Sequence, residues 1–346
     1  MPGFNPDNVK KVLVIRWGGL GDLALCSAVI EDLTQAMPHA DFHLHTEKPW
    51  QQLFAHDPRF EQVFDYPLRK KGRLEGLRWW LKLLAEERYD LVVDLQCNDR
   101  SWLLLAAAKL LGRAPKWLVS RKSGFPYSFR NEPHSTDVPA IQLLRMPLQL
   151  MGLSPEADKP ILHSGEEDRK AVELMLKPLN GQRFAILVPG CSAAGAHKRW
   201  GSHRYAELGE LLLASGEVEK IVILGAGDEA DVCQQVAYEL ADGALNLCGK
   251  TALTHIVPLA ENADLIVSND TGVAHIAAAA GRPMIVVCGP TLAIRVKPLG
   301  EHVKAIQIDP ECFKQQSADQ CMAKLSPEEV LDAIRQLKNQ LPAICR

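Results

Sequence analysis

The chain is organised around a polar turn, Val267-Ser268-Asn269-Asp270-Thr271-Gly272-Val273-Ala274-His275. An apolar run of strand type precedes the turn, and a helical pattern follows it as far as Ala280. Asn269 or Asp270 can cap the helix, and Gly272 keeps its first turn open to a ligand. Because helix N-termini attract anions, the turn predicts an anion site at Asp270, Thr271 and Gly272. His275 is expected near the same mouth, although an ordinary capped helix with a buried core histidine explains the same residues.

The length and composition indicate an ordinary two-domain protein. At 346 residues the chain exceeds the usual size of one domain. Its hydrophobic share of 47% and charged share of 23% are typical of globular proteins, and a net charge of −3 argues against a nucleic-acid partner. Residues 1–150 contain 20 Lys and Arg against 17 Asp and Glu, whereas residues 151–346 contain 19 against 25. The first half is therefore mildly basic.

The cysteines and the apolar runs indicate in which cellular compartment the protein is expected. None of the nine cysteines forms a CxxC motif, which argues against a zinc knuckle or a thioredoxin-type site. Cys312 and Cys321 could meet across a loop, but nothing indicates an oxidising compartment, so their pairing stays open. The N-terminus is polar as far as Lys11, and no apolar run approaches the roughly 18 residues of a membrane span. We expect a cytoplasmic protein, with peripheral contact to a membrane left open.

Strand and helix patterns alternate along the whole chain, which predicts mostly parallel sheets. The pattern lapses into Pro, Asp and Gly near residues 154–164, and we expect the domain boundary there or just after, near residues 155–182. The predicted fold class is α/β, with two doubly wound, Rossmann-like domains facing each other across a cleft. Ligands of such sheets bind at the carboxyl ends of the strands. We predict an N-terminal domain at residues 1–165 and a linker helix at 166–182. A C-terminal domain follows at 183–325, and a last helix at 326–346.

A glycine-rich turn follows the first strand. Gly19, Gly21 and Ala24 fit the dinucleotide-binding pattern G-x-G-x-x-A. Asp22, however, lies where a pyrophosphate would bind, and its carboxylate would repel that group. We therefore favour a second interpretation, in which the glycines bring the backbone close to an acceptor substrate and Asp22 is an exposed general base. In a third, Asp22 only caps its helix.

Two further loops follow strands of the second domain. The small-residue segment from Pro189 and Gly190 through Ser192 allows backbone amides to approach phosphates, and Lys198 and Arg199 add positive charge. A solvated basic turn is the alternative. The second loop, Gly225-Ala226-Gly227-Asp228-Glu229, ends in carboxylates that can accept hydrogen bonds from both hydroxyls of a ribose. Its alternatives are a helix cap and a weak second dinucleotide motif.

Taken in order, these motifs resemble glycosyltransferase family 9, the heptosyltransferases of lipopolysaccharide core assembly. The resemblance covers nearly the whole chain. It is carried by Gly19-Leu20-Gly21-Asp22, Asp90 to Gln96, Lys198-Arg199-Trp200, Gly249-Lys250-Thr251, Ser268 to Gly272 with His275, Gly289-Pro290-Thr291 and Cys321-Met322.

The resemblance implies a GT-B fold with the acceptor on the N-terminal domain and the nucleotide-sugar on the C-terminal domain. It also implies inverting chemistry without metal or other cofactor, and ADP-L-glycero-D-manno-heptose as donor. By the resemblance Asp22 is the base, Lys198 contacts the donor phosphate, and Glu229 contacts the adenosine ribose. The other donor residues are Thr251, Asp270, Thr271, Gly272 and His275. One departure is that Ala193 and Ala194 occupy places where some members carry hydroxyl residues.

The acceptor implied is an anionic lipid-linked oligosaccharide, such as the lipopolysaccharide inner core at the cytoplasmic face of the inner membrane. Basic residues of the first half could bind its charged groups, with candidates at Arg69, Lys70, Arg73, Arg121 and Lys122. Tryptophans at 79, 80, 102 and 117 could dock on the membrane, or could be core aromatics beneath a solvated face. The rival functions are another GT-B nucleotide-sugar enzyme (a transferase with a different donor, or an epimerase) and a binding protein with a degenerate site.

Overall fold

The computed structural model describes residues 3–68, 72–131 and 138–341, with the side chain of Arg73 excepted. The chain divides into two compact units, Met1–Ala157 and Asp158–Arg346. The first unit ends where the backbone amides of Glu156 and Ala157 both donate to the Asp32 carboxylate at 2.7 Å. This anchor lies at the beginning of residues 155–182, the stretch in which the sequence predicted the boundary.

The first unit is built on a five-stranded parallel sheet with the order β3-β2-β1-β4-β5. Buried aliphatic side chains on both faces make the central strands read as continuous apolar runs. The strands are β1 Lys11–Ile15, β2 Asp41–His45, β3 Gln62–Phe64, β4 Leu91–Asp94 and β5 Trp117–Ser120. The helices are α1 Leu20–Ala36, α2 Arg73–Glu87, α3 Asp99–Leu110 and α4 Ala140–Leu150.

The second unit contains a six-stranded parallel sheet with the order β11-β10-β9-β6-β7-β8. Its strands are β6 Phe184–Val188, β7 Lys220–Ile223, β8 Ala244–Asn246, β9 Leu265–Asn269, β10 Met284–Cys288 and β11 Val303–Gln307. Its helices are α5 Glu166–Leu176, α6 Ser202–Ala214, α7 Ala230–Leu240, α8 Ile256–Glu261, α9 Gly272–Ala277, α10 Ala293–Val296, α11 Cys312–Gln315, α12 Ala318–Met322 and α13 Pro327–Gln340.

The strand orders place the candidate loops. In each sheet, successive strands are first added on one side of the first strand and then on its other side. The switch point lies between β1 and β4 in the first unit and between β6 and β9 in the second. Loops leaving adjacent strands at such a switch point diverge to opposite faces and open a crevice for ligands. The Gly19 turn follows β1, the Pro189 loop follows β6, and the Asp270 turn follows β9. The predicted doubly wound sheets are therefore confirmed.

Several local features differ from the sequence interpretation. The strands β8 and β11 were not predicted, because both are edge strands with mixed polar and apolar side chains. The helix after the central turn is short: α9 ends at Ala277 and continues as a 3₁₀ turn over Ala278–Ala280. Cys312 and Cys321, whose pairing the sequence left open, form a disulfide. Within the described residues, no helix combines the length and the apolarity needed to cross a bilayer.

Candidate active site

Asn269, the last residue of β9, joins the loops of the second unit. Its fully buried side-chain amide donates to the carbonyls of Pro189 at 2.8 Å and Gly190 at 3.1 Å. Its Oδ1 accepts from the backbone amide of Trp200 at 3.0 Å and from the Tyr205 hydroxyl at 3.2 Å. The sequence suggested only a helix cap here, and that was wrong. Asn269 instead holds both ends of the Pro189–Trp200 loop against the central turn.

An ion pair connects the same two loops. Lys198 ends the 3₁₀ turn Ala193–Lys198, and its Nζ lies 2.7 Å from Oδ2 of Asp270, whose side chain is 7% exposed. Asp270 does not cap the helix either: the cap is Thr271, whose hydroxyl accepts from the Ala274 amide at 3.4 Å. Lys198 keeps about a quarter of its side-chain surface open to solvent. The ammonium is thus held in place and remains reachable by an anion.

The Arg199 guanidinium has a structural contact in this loop. Its Nε and Nη2 donate to the Cys191 carbonyl at 3.1 and 2.5 Å. Lys198 and Arg199, grouped by the sequence as phosphate cations, therefore occupy different environments. Lys198 points to a carboxylate, whereas Arg199 braces the backbone at Cys191, next to Ser192, the exposed residue that precedes the 3₁₀ turn.

Glu229 lies directly beneath the start of the same loop. A Cβ added at Gly190 would meet Cδ of Glu229 at 2.4 Å, so only glycine permits this approach. The Glu229 carboxylate is 7% exposed and accepts from the Ala226 amide at 2.7 Å. Burial raises the pKa of this carboxyl, while the hydrogen bond from Ala226 opposes the shift. The structure thus packs Glu229 against Gly190, at the start of the loop that also carries Lys198.

The Gly190 contact makes a prediction about stability. We expect Gly190→Ala to lower the free energy of unfolding by about 1–3 kcal/mol, because the new methyl group must displace a buried carboxylate. Thermal denaturation measures this. Gly227→Ala is the matched control, since a Cβ there would meet no described heavy atom within 4 Å and its backbone is not strained. Equal melting temperatures for the two variants would show that the packing at Gly190 is unimportant.

The remaining donor candidates are placed around this cluster. The Gly249 amide donates to the Gly225 carbonyl at 2.9 Å, which places the Thr251 loop beside the segment that carries Glu229. His275 is 9% exposed and lies in α9, as does Gly272 at the first position of that helix. Among the described residues, no group of three or more His, Cys, Asp or Glu is arranged to hold a metal ion.

In the first unit, Asp22 stands in the first turn of α1. Gly19 precedes the helix with φ at 82°, and a Cβ there would lie 2.5 Å from Oδ2 of Asp22. The carboxylate pairs with Nη2 of Arg16 at 2.5 Å and keeps 52% of its side-chain surface exposed. Asp22 is therefore an accessible and oriented carboxylate, with Gly21 beside it in the same turn.

Arg16 is a site residue that the sequence did not indicate. Its side chain is 11% exposed, and Nη1 donates to the Leu95 carbonyl at 2.7 Å while Nη2 holds Asp22. It follows a buried strand directly, and a cation at the carboxyl end of a central strand was the available signal. Arg16 fixes the position of the Asp22 carboxylate against the end of β4.

A buried carboxylate organises the neighbouring loops. Asp94, at the end of β4, accepts from the Ser101 hydroxyl at 2.8 Å and from the Tyr127 hydroxyl at 2.7 Å. Burial raises the pKa of Asp94, and these hydrogen bonds oppose the rise. The adjacent Gln96 side chain accepts from the Trp17 amide at 2.8 Å. The turns after β1 and β4 and the segment around Tyr127 are therefore held together.

Only some of the basic residues predicted to bind the acceptor lie within the described residues. Arg69 and Lys70 lie outside the described residues, as does the side chain of Arg73. Arg121 is half-buried, and its carbonyl accepts from the Asn131 side chain at 3.1 Å. Lys122 pairs with Asp99 at 3.1 Å. Both are anchored within the first unit.

The four tryptophans have different environments. Trp80 is fully buried, so of the two interpretations left open for this set it is a core aromatic. Trp79 stacks on Tyr66 with a centroid distance of 4.3 Å, and Trp117 packs edge-on against Phe4 at 5.6 Å. Trp102 is exposed, at 39%. Aromatic packing in the core therefore accounts for most of this set.

Comparison with known proteins places this geometry in a family. The model of glycosyltransferase family 9 (heptosyltransferase) matches residues 78–326. The lipooligosaccharide heptosyltransferase 2 of Haemophilus influenzae is 27% identical, and the alignment covers 94% of this chain and 99% of that protein.

Solved structures show the same fold. The crystal structure of a family 9 glycosyl transferase from Veillonella parvula has a TM-score of 0.81 at 19% identity, covering 97% of this chain and 99% of that one. The ADP-heptose lps heptosyltransferase II of Escherichia coli has a TM-score of 0.75 at 20% identity, covering 95% and 99%. The two Rossmann-like domains are those of a GT-B fold. Because the family model spans most of the chain, this protein belongs to glycosyltransferase family 9 and is a glycosyltransferase enzyme.

Proposed function

We propose that the protein transfers a heptose, with inversion and without a metal ion, from ADP-L-glycero-D-manno-heptose to the lipopolysaccharide inner core or a related lipid-linked saccharide. The observation that carries the donor half is the Lys198–Asp270 pair at the switch point of the second sheet, on the loop whose Gly190 packs against Glu229. The names of the relatives, lipooligosaccharide heptosyltransferase 2 and ADP-heptose lps heptosyltransferase II, support the sugar, the nucleotide and the acceptor class.

The donor half of the reaction needs charge stabilisation at the leaving group. As the anomeric carbon separates from ADP, negative charge grows on the diphosphate. The Lys198 ammonium, exposed by about a quarter and fixed by Asp270, can bind that charge without reorganising. A nucleotide bound at this edge would place its ribose hydroxyls at the Glu229 carboxylate, a hydrogen-bond acceptor. Thr251, Thr271 and Gly272 complete the proposed donor pocket.

The acceptor half needs a base. Asp22 takes the proton from an acceptor hydroxyl, and the resulting oxygen attacks the anomeric carbon from the face opposite ADP. The bond from that carbon to the diphosphate breaks, ADP leaves with the electron pair, and the configuration at carbon inverts. The exposed half of the Asp22 carboxylate is available to the hydroxyl, while Arg16 holds the other side.

Nucleotide binding tests the donor assignment. Calorimetric titration in EDTA should show binding of ADP but much weaker binding of UDP, GDP and NAD. A preference for UDP or GDP would retain the fold and overturn the heptose donor, pointing to another GT-B enzyme. Binding of NAD alone would favour the dinucleotide interpretation of the glycine turns. Absence of binding to any nucleotide would favour a degenerate site.

The chemistry of the proposed substrates suggests where the protein works. An ADP-sugar is water-soluble, whereas the proposed acceptor is anchored in a bilayer by its lipid. We propose a cytoplasmic enzyme that acts at the inner face of the membrane by peripheral contact. Fractionation of cells into soluble and membrane material, with and without a high-salt wash, tests this location.

A further inference from the structure

The first unit exposes large apolar side chains on one set of neighbouring elements. Of the ten exposed large hydrophobic residues in the described part of the chain, six lie on α2, on α3 and the residue that caps it, and on the segment after β5. Soluble proteins rarely leave apolar side chains grouped in this way without a partner. We name this group the α2–α3 face; its members are Leu74, Trp102, Leu103, Leu110, Leu111 and Phe125.

These residues are connected in space. Leu103 and Leu110 are seven positions apart on α3, so they project from the same side of the helix, and they are 57% and 78% exposed. The Trp102 indole donates to the Phe125 carbonyl at 2.8 Å, which joins α3 to the segment after β5. Leu103 also lines a groove between α3 and the start of α2, and Leu111 lines a groove beside the later part of α2. The exposed residues of α3 are therefore connected to α2 on one side and to the segment after β5 on the other.

The surroundings of the α2–α3 face are cationic. Residues 72–131 contain 11 Lys and Arg against 6 Asp and Glu, a net charge of +5 in a chain of net charge −3. Two of the nearby carboxylates are already neutralised, because Asp99 pairs with Lys122 and Glu86 with Lys82. Arg78, Arg100 and Arg113 line these grooves, and Lys109 precedes Leu110 on α3. Within the described residues, no carboxylate pairs with any of these four basic side chains.

We propose that the α2–α3 face docks the first unit on the surface of an anionic bilayer. Apolar side chains flanked by Lys and Arg match the interface between acyl chains and anionic headgroups. A second copy of this chain fits less well, since a two-fold contact would bring two cationic faces together. The proposal deepens the peripheral location proposed above and rests on it. What it adds is the surface of the protein that contacts the membrane and the negative charge of the lipids that this surface binds.

The test is co-sedimentation of the full chain with vesicles of phosphatidylcholine alone and of phosphatidylcholine with about one-third phosphatidylglycerol. We expect binding only to the anionic vesicles, falling as salt is raised. Leu103→Ser with Leu110→Ser should weaken partitioning by roughly tenfold or more. The matched control is Leu174→Ser with Leu292→Ser, which alters exposed apolar residues of the second unit.

A charge variant provides an independent arm that leaves the apolar residues intact. Arg78→Gln, Lys109→Gln and Arg113→Gln together should abolish the salt-dependent part of binding, whereas Lys177→Gln with Lys324→Gln should not. Equal binding to both vesicle types, or wild-type partitioning in both sets of face variants, would overturn the proposal. So would a dimer, detected by light scattering, that the leucine variant disrupts.

The proposed enzymatic function is separable from docking. The face variants should bind ADP as the unmodified chain does, and should transfer sugar at the same rate to a deacylated, water-soluble acceptor. Loss of vesicle binding with retained ADP affinity supports the docking surface. Vesicle binding by a chain that binds no ADP would reject the donor assignment and leave the docking surface standing.

Discussion

Replacing Asp22 with asparagine is expected to lower turnover by about 100-fold or more while ADP affinity is kept. Asparagine preserves the size of the side chain and can still accept from Arg16, so the ion pair becomes a neutral hydrogen bond. What is lost is the ability to take a proton from the acceptor hydroxyl. Initial rates of ADP release, with sugar donor and acceptor both saturating, measure the effect.

A loss of activity could also arise from a disturbed first unit, since Arg16 is largely buried and would lose its counter-charge. Melting temperatures of the Asp22→Asn protein separate the two causes. Asp231→Asn is the matched control, because Asp231 is another exposed carboxylate in the first turn of a helix. Asp22→Glu should recover part of the rate, since it restores a base displaced by one methylene. Full activity in Asp22→Asn would remove this residue from the mechanism.

Replacing Lys198 with methionine is expected to cost about 10²–10³ in turnover and to weaken ADP binding. Methionine keeps the length and apolar stem of the side chain but removes the charge that the leaving diphosphate would meet. It also leaves the Asp270 carboxylate, 7% exposed, without its cation at 2.7 Å. The uncompensated charge would then repel the diphosphate, so binding suffers as well as turnover.

A double-mutant cycle distinguishes these contributions. Asp270→Asn added to Lys198→Met should recover stability, because no unpaired carboxylate remains, but it should not recover turnover. Lys177→Met, which alters an exposed lysine of the same unit, serves as the control for removing a charge. Turnover restored in the double variant would show that Lys198 acts only as the partner of Asp270.

The elements of the fold were largely predictable because their signals are local. Buried parallel strands produce continuous apolar runs, and helices produce a 3.6-residue period, so each can be recognised within a short window. The central strands β1, β4, β6 and β9 consist almost entirely of buried residues, as this pattern requires. The edge strand β11 was missed, since most of its residues are only partly buried and its sequence, Val-Lys-Ala-Ile-Gln, is mixed.

The types of residue in the candidate site could be predicted from the sequence, but the partners of those residues could not. Sequence placed a carboxylate, a cation and glycines at strand ends, and the structure packs Glu229 against Gly190 and pairs Lys198 with Asp270. It did not indicate Arg16, because that role depends on Asp22 and on Leu95, which is 79 residues away. Sequence also could not separate the roles of Lys198 and Arg199. Lys198 pairs with a carboxylate, whereas the guanidinium of Arg199 donates to a backbone carbonyl.

By itself, the sequence determined the alternation of strands and helices, the two parallel sheets, and the resemblance to family 9. These follow from periodicity and from motifs a few residues long. Only the tertiary structure decided which polar groups meet: Asn269 with the Pro189 loop, Asp270 with Lys198, and Arg16 with Asp22. The physical reason is that parallel strands bring their carboxyl ends to one edge of a sheet. Asn269 and Asp270 are separated from their partners by tens of residues in the chain. Arg16 and Asp22 are close in sequence, but Leu95, whose carbonyl also holds Arg16, is 79 residues away.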